Sequence, residues 1–300
     1  MSSSSERIAW LNDQYSPSRT ARDFSGSIES YKVGTDAART SITGKRHRVL
    51  AYGALPTNRI ECFLPRADGA PGAVRRGAPI FAYLHGGWWQ ELSIDYSAAP
   101  AVALTDAGAI YASIGYSLAP SAQLRDIVGE VSAAVTTLAA RATEMGGDPR
   151  RIVLAGHSAG AHLAAMQLTA LAPEEARTTI AGCLLIGGAY DLEPIAESYV
   201  NEKVRMSAAD AAALSPANLA PLHDVPVKIR VGEAEPDEFH RNAALLLERW
   251  ALSLSAIDSA TLSGRDHFDV LDELADAHGR LYVDALELLG IPRQRVAVGR

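Results

Sequence analysis

One serine is set apart by its neighbours. The stretch "LAGHSAGAHLAAM" places Ser158 in the pattern G-x-S-x-G, among Gly156, His157, Ala159 and Gly160. The apolar run "RIVLA" precedes it and the Ala-rich, helix-prone run "AHLAAMQLTALA" follows. A strand that turns this tightly into a helix strains the backbone at the serine and tolerates only small neighbours, hence glycine at both ends. The hydroxyl then projects at the carboxyl edge of a sheet, above a helix N-terminus, where a nucleophile can meet substrate. The plain alternative is a glycine-rich turn, against which the flanking strand and helix argue.

A serine hydroxyl is a weak nucleophile and needs a base that is itself held by a carboxylate. In strand-turn-helix sites of this type the chain order is serine, acid, histidine. Of the eight histidines, His47, His85, His157 and His162 precede or crowd the serine, His223 sits in a proline-bounded loop, and His240 and His278 fall in helical stretches. His267, in "LSGRDHFDVLDEL", follows the last strand-like run, "AIDSATL", and is the expected base. The acid should leave the strand "VKIRVG", beyond which Glu233, Glu235, Asp237 and Glu238 compete. Glu235 lies far enough out to turn inward, whereas Asp237 and Glu238 read as first-turn acids of the next helix. Glu235 is the expected acid and Asp237 the alternative.

Acyl transfer also needs rigid N–H donors aimed at the oxyanion. "HGGWW" (85–89) stands at the end of the apolar run "PIFAYL". Its Gly86 and Gly87 let the backbone approach closely, so the N–H groups of Gly87 and Trp88, with that of Ala159 after the serine, are the expected donors. His85 would tie this loop down. Trp88 and Trp89, with Tyr116 and Tyr190 from neighbouring strand ends and His85 beside them, are the expected walls of an aromatic pocket. The alternative for the two tyrosines is ordinary core packing.

These residues need a sheet to line them up. "HRVLAYG" (47–53) and "RIECFLP" (59–65) read as paired strands, followed by the Gly- and Pro-rich loop "RADGAPGAVRRGAP", expected to be exposed. Further apolar runs begin at 79, 109, 151, 181 and 225, and helical spacing covers 121–145, 158–172 and 237–253. Near-continuous apolar strands alternating with helices predict a mostly parallel, doubly wound α/β sheet covered on both faces. Residues 1–45 are polar without a sustained period and are expected to form an irregular arm on the domain. The domain is expected to run over 46–292, with a small helical insertion, the candidate lid, at 195–220 and a tail at 293–300.

Composition narrows the partners. In 300 residues, 28 Lys and Arg stand against 35 Asp and Glu, a net charge of −7, and there is no basic run, which argues against nucleic acid and anionic membranes. No stretch approaches the roughly 18 apolar residues of a membrane span, and the N-terminus has no signal-peptide core. Cys62 and Cys183 lie in apolar runs and read as buried free thiols, so a cytoplasmic protein is expected. The assembly entertained is a homodimer.

Taken together, "QYSPSR" (14–19), "HGGWWQ" (85–90), "GHSAGAHLAAM" (156–166), "YDLEPI" (190–195), "LSPANL" (214–219) and "DEFHRNA" (237–243) resemble the α/β-hydrolase type of kynurenine formamidase, or arylformamidase. The resemblance runs in order from about residue 14 to about 285. It implies the α/β-hydrolase fold and metal-independent hydrolysis of N-formyl-L-kynurenine to L-kynurenine and formate, in tryptophan catabolism. It also implies a triad of Ser158, Glu235 and His267, with Glu standing where the family usually has Asp. Trp88 occupies a variable motif position, so substrate choice is expected to differ there. The metal motif H-x-G-T-H-x-D of the unrelated formamidase class is missing, and neither metal nor cofactor is expected. The competing readings are a carboxylesterase or amidase of another small aromatic substrate and, from a different class, a non-catalytic ligand-binding module on the same fold.

Overall fold

The computed structural model describes residues 4–66 and 76–292. Most of the Gly/Pro-rich loop expected to be exposed, 67–75, and the tail 293–300 lie outside the described residues. The strands are β1 (His47–Ala51), β2 (Arg59–Phe63), β3 (Ala78–Leu84), β4 (Ile110–Ile114), β5 (Gly147–His157), β6 (Ile180–Ile186), β7 (Val227–Gly232) and β8 (Ile257–Leu262). They form one eight-stranded sheet in the order β1-β2-β4-β3-β5-β6-β7-β8. β1, β2 and β4 pair antiparallel, and from β4 to β8 every pairing is parallel.

Parallel strands are covered on both faces, which is why β3 and β4 are buried at every position and, save Ser113, built of apolar or aromatic residues. Within β3, Ile80, Ala82 and Leu84 pack on one face while Phe81 and Tyr83 pack on the other. The first face is covered by α1 (Ser4–Gln14), α4 (Leu124–Ala142), α5 (Ala159–Met166) and α10 (Asp237–Trp250). The second carries α2 (Phe24–Ser41), α3 (Ala101–Asp106), α11 (Asp272–Ala275) and α12 (Arg280–Leu289). α6 (Glu174–Arg177) leads into β6. Cys62 and Cys183 are buried free thiols on strands that do not adjoin.

The first forty-odd residues depart from the irregular arm expected of them, for they fold into α1 and α2. Each buries only a narrow stripe: Leu11 alone in α1, and Tyr31, Thr35 and Ala38 in α2. So few apolar positions leave little period in the sequence, and tertiary contact and capping supply the stability instead. The Asp23 side chain caps α2 by accepting the Gly26 N–H. Residues 193–213 carry three short helices, α7 (Glu193–Ala196), α8 (Asn201–Val204) and α9 (Ala208–Ala213). This insertion meets the N-terminal arm, where Tyr199 donates its hydroxyl to Tyr15 O and its N–H to Asn12 Oδ1.

Register places the working residues in one line. Leu84 pairs with Gly156, and Gly156 pairs with Leu185, so β3, β5 and β6 end side by side. Gly232 closes β7 opposite Leu262 of β8. The loops that follow these ends carry His85, Ser158, Gly187, Glu235 and His267.

Candidate active site

β5 passes into α5 through Ser158, whose φ of 54° and ψ of −119° lie where side-chain-bearing residues are rarely found. The turn is too tight for anything but glycine on either side. A Cβ at Gly156 would fall 2.2 Å from Gly160 O, and one at Gly160 would fall 2.1 Å from Leu84 O. The Ser158 N–H donates to Ile186 O at 2.8 Å, which ties the turn to the end of β6.

The next residue of that strand end, Gly187, faces the other two groups. A Cβ there would lie 2.9 Å from Glu235 Oε2 and 3.1 Å from His267 Nδ1. His267 Nδ1 and Glu235 Oε2 are 2.5 Å apart, and Glu235 Oε1 accepts the Gly232 N–H at 2.7 Å. Both side chains are buried. Asp237 is exposed in the first turn of α10, because Pro236 caps that helix in an extended conformation and sends the chain outward after Glu235. Ser158 Oγ has no hydrogen-bond partner among the described residues, as is common before substrate tightens a catalytic array.

The His267 loop is pinned from several sides. Asp266 accepts the N–H groups of Arg22, Phe268 and Asp269, and the Tyr31 hydroxyl donates to Phe268 O. The His157 ring donates from Nε2 to His267 O at 2.7 Å, and burial, with His267 alongside, holds its pKa well below the usual imidazole range. The neutral ring therefore positions the loop without adding charge.

"HGGWW" forms a strained turn against Ser158. Gly87 has φ 101°, and Trp88 and Trp89 follow at φ 49° and 58°. A Cβ at Gly86 would sit 3.1 Å from that of Ser158, and one at Gly87 would sit 2.3 Å from Glu91 O. The N–H groups of Gly87, Trp88 and Ala159 donate to no protein acceptor among the described residues, while Gly87 O is taken by Gln90 and Glu91. Tyr116 stacks on His85 with centroids 4.2 Å apart and donates its hydroxyl to His85 O at 2.7 Å. Here the pocket-wall expectation is corrected: His85 and Tyr116 are committed to fastening the loop from behind.

Burial pushes the pKa of His85 down to about 4, and that of His162, in α5, also to about 4. Both fold neutral and would protonate near pH 6.5 when unfolded. Their contribution is complete above the unfolded value and is lost as pH falls toward about 4, since protons then favour the unfolded chain. Acidification across that window is expected to remove on the order of 3 kcal/mol per histidine. Melting midpoints measured from pH 7 to 4 check this, and His162→Gln, which keeps a donor for Leu214 O, should flatten the dependence.

Known proteins share this fold. A family model described as alpha/beta hydrolase fold matches residues 81–239. Kynurenine formamidase of Danio rerio is 32% identical over 295 residues, spanning 93% of this chain and 96% of the relative. That of Salmo salar is 28% identical over the same share of each chain. The chain belongs to the kynurenine formamidase family of α/β-hydrolases. A crystal structure from Silicibacter sp. TM1040, provisionally described as a thioesterase, superposes with a TM-score of 0.80 at 30% identity, covering 91% of this chain and 97% of that one.

The aromatic surroundings of this family member differ from those expected. Trp88 is half-buried and borders Tyr15, edge-on at 5.8 Å, and Phe239 at 6.1 Å; Phe239 in turn lies 4.5 Å from the His267 ring. Trp89 is fully buried with its ring edge-on to His162, and Tyr190 is fully buried, folded back over Gly188. Of the four aromatics expected to wall the pocket, Trp88 joins this cluster beside the site, with the buried Trp89 ring behind it at 5.9 Å. Tyr15 and Phe239 were not expected there. Both lie within motifs quoted above, "QYSPSR" and "DEFHRNA", but nothing local tells that residues so far apart converge. Tyr15 is held by donating its hydroxyl to Glu238 Oε2 at 2.7 Å. Among the described residues no cluster of His, Cys, Asp and Glu could hold a metal, and no helix is long and apolar enough to cross a membrane.

Proposed function

We propose that this hydrolase is an arylformamidase that cleaves N-formyl-L-kynurenine to L-kynurenine and formate. The observation that carries the reading is the buried Glu235–His267 contact beside the strained Ser158 turn, in a chain related over nearly its whole length to kynurenine formamidases. Ser158 Oγ gives its proton to His267 Nε2 as it attacks the formyl carbon. The oxyanion accepts from the N–H groups of Gly87, Trp88 and Ala159. On collapse, His267 returns the proton to the arylamine nitrogen, without which an amide leaves poorly. A water, deprotonated by His267, then attacks formyl-Ser158 and releases formate. Trp88, Phe239 and Tyr15 seat the aryl ring. We place the reaction in the cytoplasm, consistent with two buried free thiols.

Kinetics separate this from the carboxylesterase reading. kcat/KM for N-formylkynurenine is expected to exceed that for short p-nitrophenyl esters by about tenfold or more. Efficient turnover of the esters alone would leave a carboxylesterase.

A further inference from the structure

A cavity of about 250 Å³ opens on the second face of the sheet, beneath α2, and its lining includes none of the triad, the oxyanion loop or the aromatic cluster of the site above. Tyr31, Tyr83, Tyr96, Ser97, Leu271 and Asp272 are among its walls. Tyr83, on β3, is 3% exposed, and its hydroxyl has no hydrogen-bond partner among the described residues although it borders this space. Open to the cavity, that hydroxyl is available to hydrogen-bond a ligand. Tyr31 is fastened differently, donating to Phe268 O at 2.6 Å, so its ring is a fixed wall.

Among the described residues that line the cavity, the charged one is acidic. Asp272 is an exposed residue of the cavity wall, and its carboxylate makes no hydrogen bond or ion pair among the described residues. Partial burial, with Asp269, Asp266 and Glu273 nearby, raises its pKa even against Arg265, whose own guanidinium is taken by Glu273. No Lys or Arg lines the space. Tyrosine faces and an unpaired carboxylate both attract a cation, and together they discriminate against an anion. For size, a cavity of about 150 Å³ accepts benzene, so this one admits a single ring with a short aminoalkyl chain.

We propose that this cavity is a second ligand site, for a single-ring aromatic ammonium, with Asp272 and the Tyr83 hydroxyl receiving the ammonium group and the ring lying among Tyr31, Tyr96 and Leu271. The site is separated from the His267 loop by one hydrogen bond, that of Tyr31 to Phe268 O.

Calorimetric titration with 2-phenylethylamine tests it on the full chain. Saturable binding of one molecule per chain is expected, with 3-phenylpropionate, the same ring with opposite charge, about tenfold weaker or worse. Asp272→Asn and Tyr83→Phe should each raise Kd about tenfold, while Ser158→Ala leaves it unchanged, which separates this cavity from the active site. Melting curves confirm that the variants are folded. Absence of saturable binding, equal affinity for the amine and the acid, an unchanged Kd in either cavity variant, or a Kd that rises in Ser158→Ala would overturn the proposal.

Discussion

Ser158→Ala is expected to lower kcat for N-formylkynurenine by about 10⁴–10⁶-fold while leaving the melting temperature almost unchanged. The two halves of this result have separate causes. The hydroxyl is the attacking atom, so its loss leaves only binding and the oxyanion donors to act on bound substrate. For the fold, the serine side chain caps no helix and has no hydrogen-bond partner among the described residues, and alanine preserves the bulk that the turn already accepts at φ 54°. Steady-state kinetics and a thermal melt on one preparation check both halves. Turnover persisting within tenfold of wild type would sink the mechanism.

Glu235→Gln should cost about 10³–10⁴-fold in kcat, for a reason that lies in tautomers more than in charge alone. Glu235 Oε1 accepts the Gly232 N–H at 2.7 Å, so a glutamine there would keep its carbonyl on that donor and turn its NH₂ toward His267 Nδ1. Nδ1 would then have to accept, which puts the proton on Nε2, where Ser158 needs a base. Glu235→Asp removes one methylene and should retain part of the activity. Asp237→Asn should behave as wild type, because Asp237 is exposed on the first turn of α10. A measured pH–rate profile for all three adds a second readout, and a large loss in Asp237→Asn with an active Glu235→Gln would reverse the assignment of the acid.

Much of this arrangement is legible in short stretches of sequence because the physics that dictates it acts over a few residues. Gly156 and Gly160 flank the serine because backbone atoms lie within 2.2 Å of where their Cβ would be. The two-residue alternation of β3 and its wholly apolar composition both follow from burial on two faces. The order serine, acid, histidine limits the search to the loops after β7 and β8, and Pro236 marks where the acid must already have turned inward. The N-terminal helices were missed for the converse reason, since their few buried positions leave almost no pattern to find.

What the sequence by itself determined, then, is the alternating α/β architecture, the strained serine turn, the glycine loop opposite it and the small set of groups able to serve as base and acid. Only the tertiary structure decided which way side chains face and which distant ones meet. Trp88 and Trp89 are neighbours of one type, yet one stands beside His267's partner Phe239 and the other is buried against His162. Tyr15 reaches Glu238 across the whole domain, and Arg230, an unexpected charge in an apolar strand, is buried because Asp284 of α12 receives it at 2.6 Å. A turn or a strand records its constraint in adjacent residues, whereas the direction of a ring and the partner of a buried charge depend on contacts that form only when the sheet brings its strand ends together.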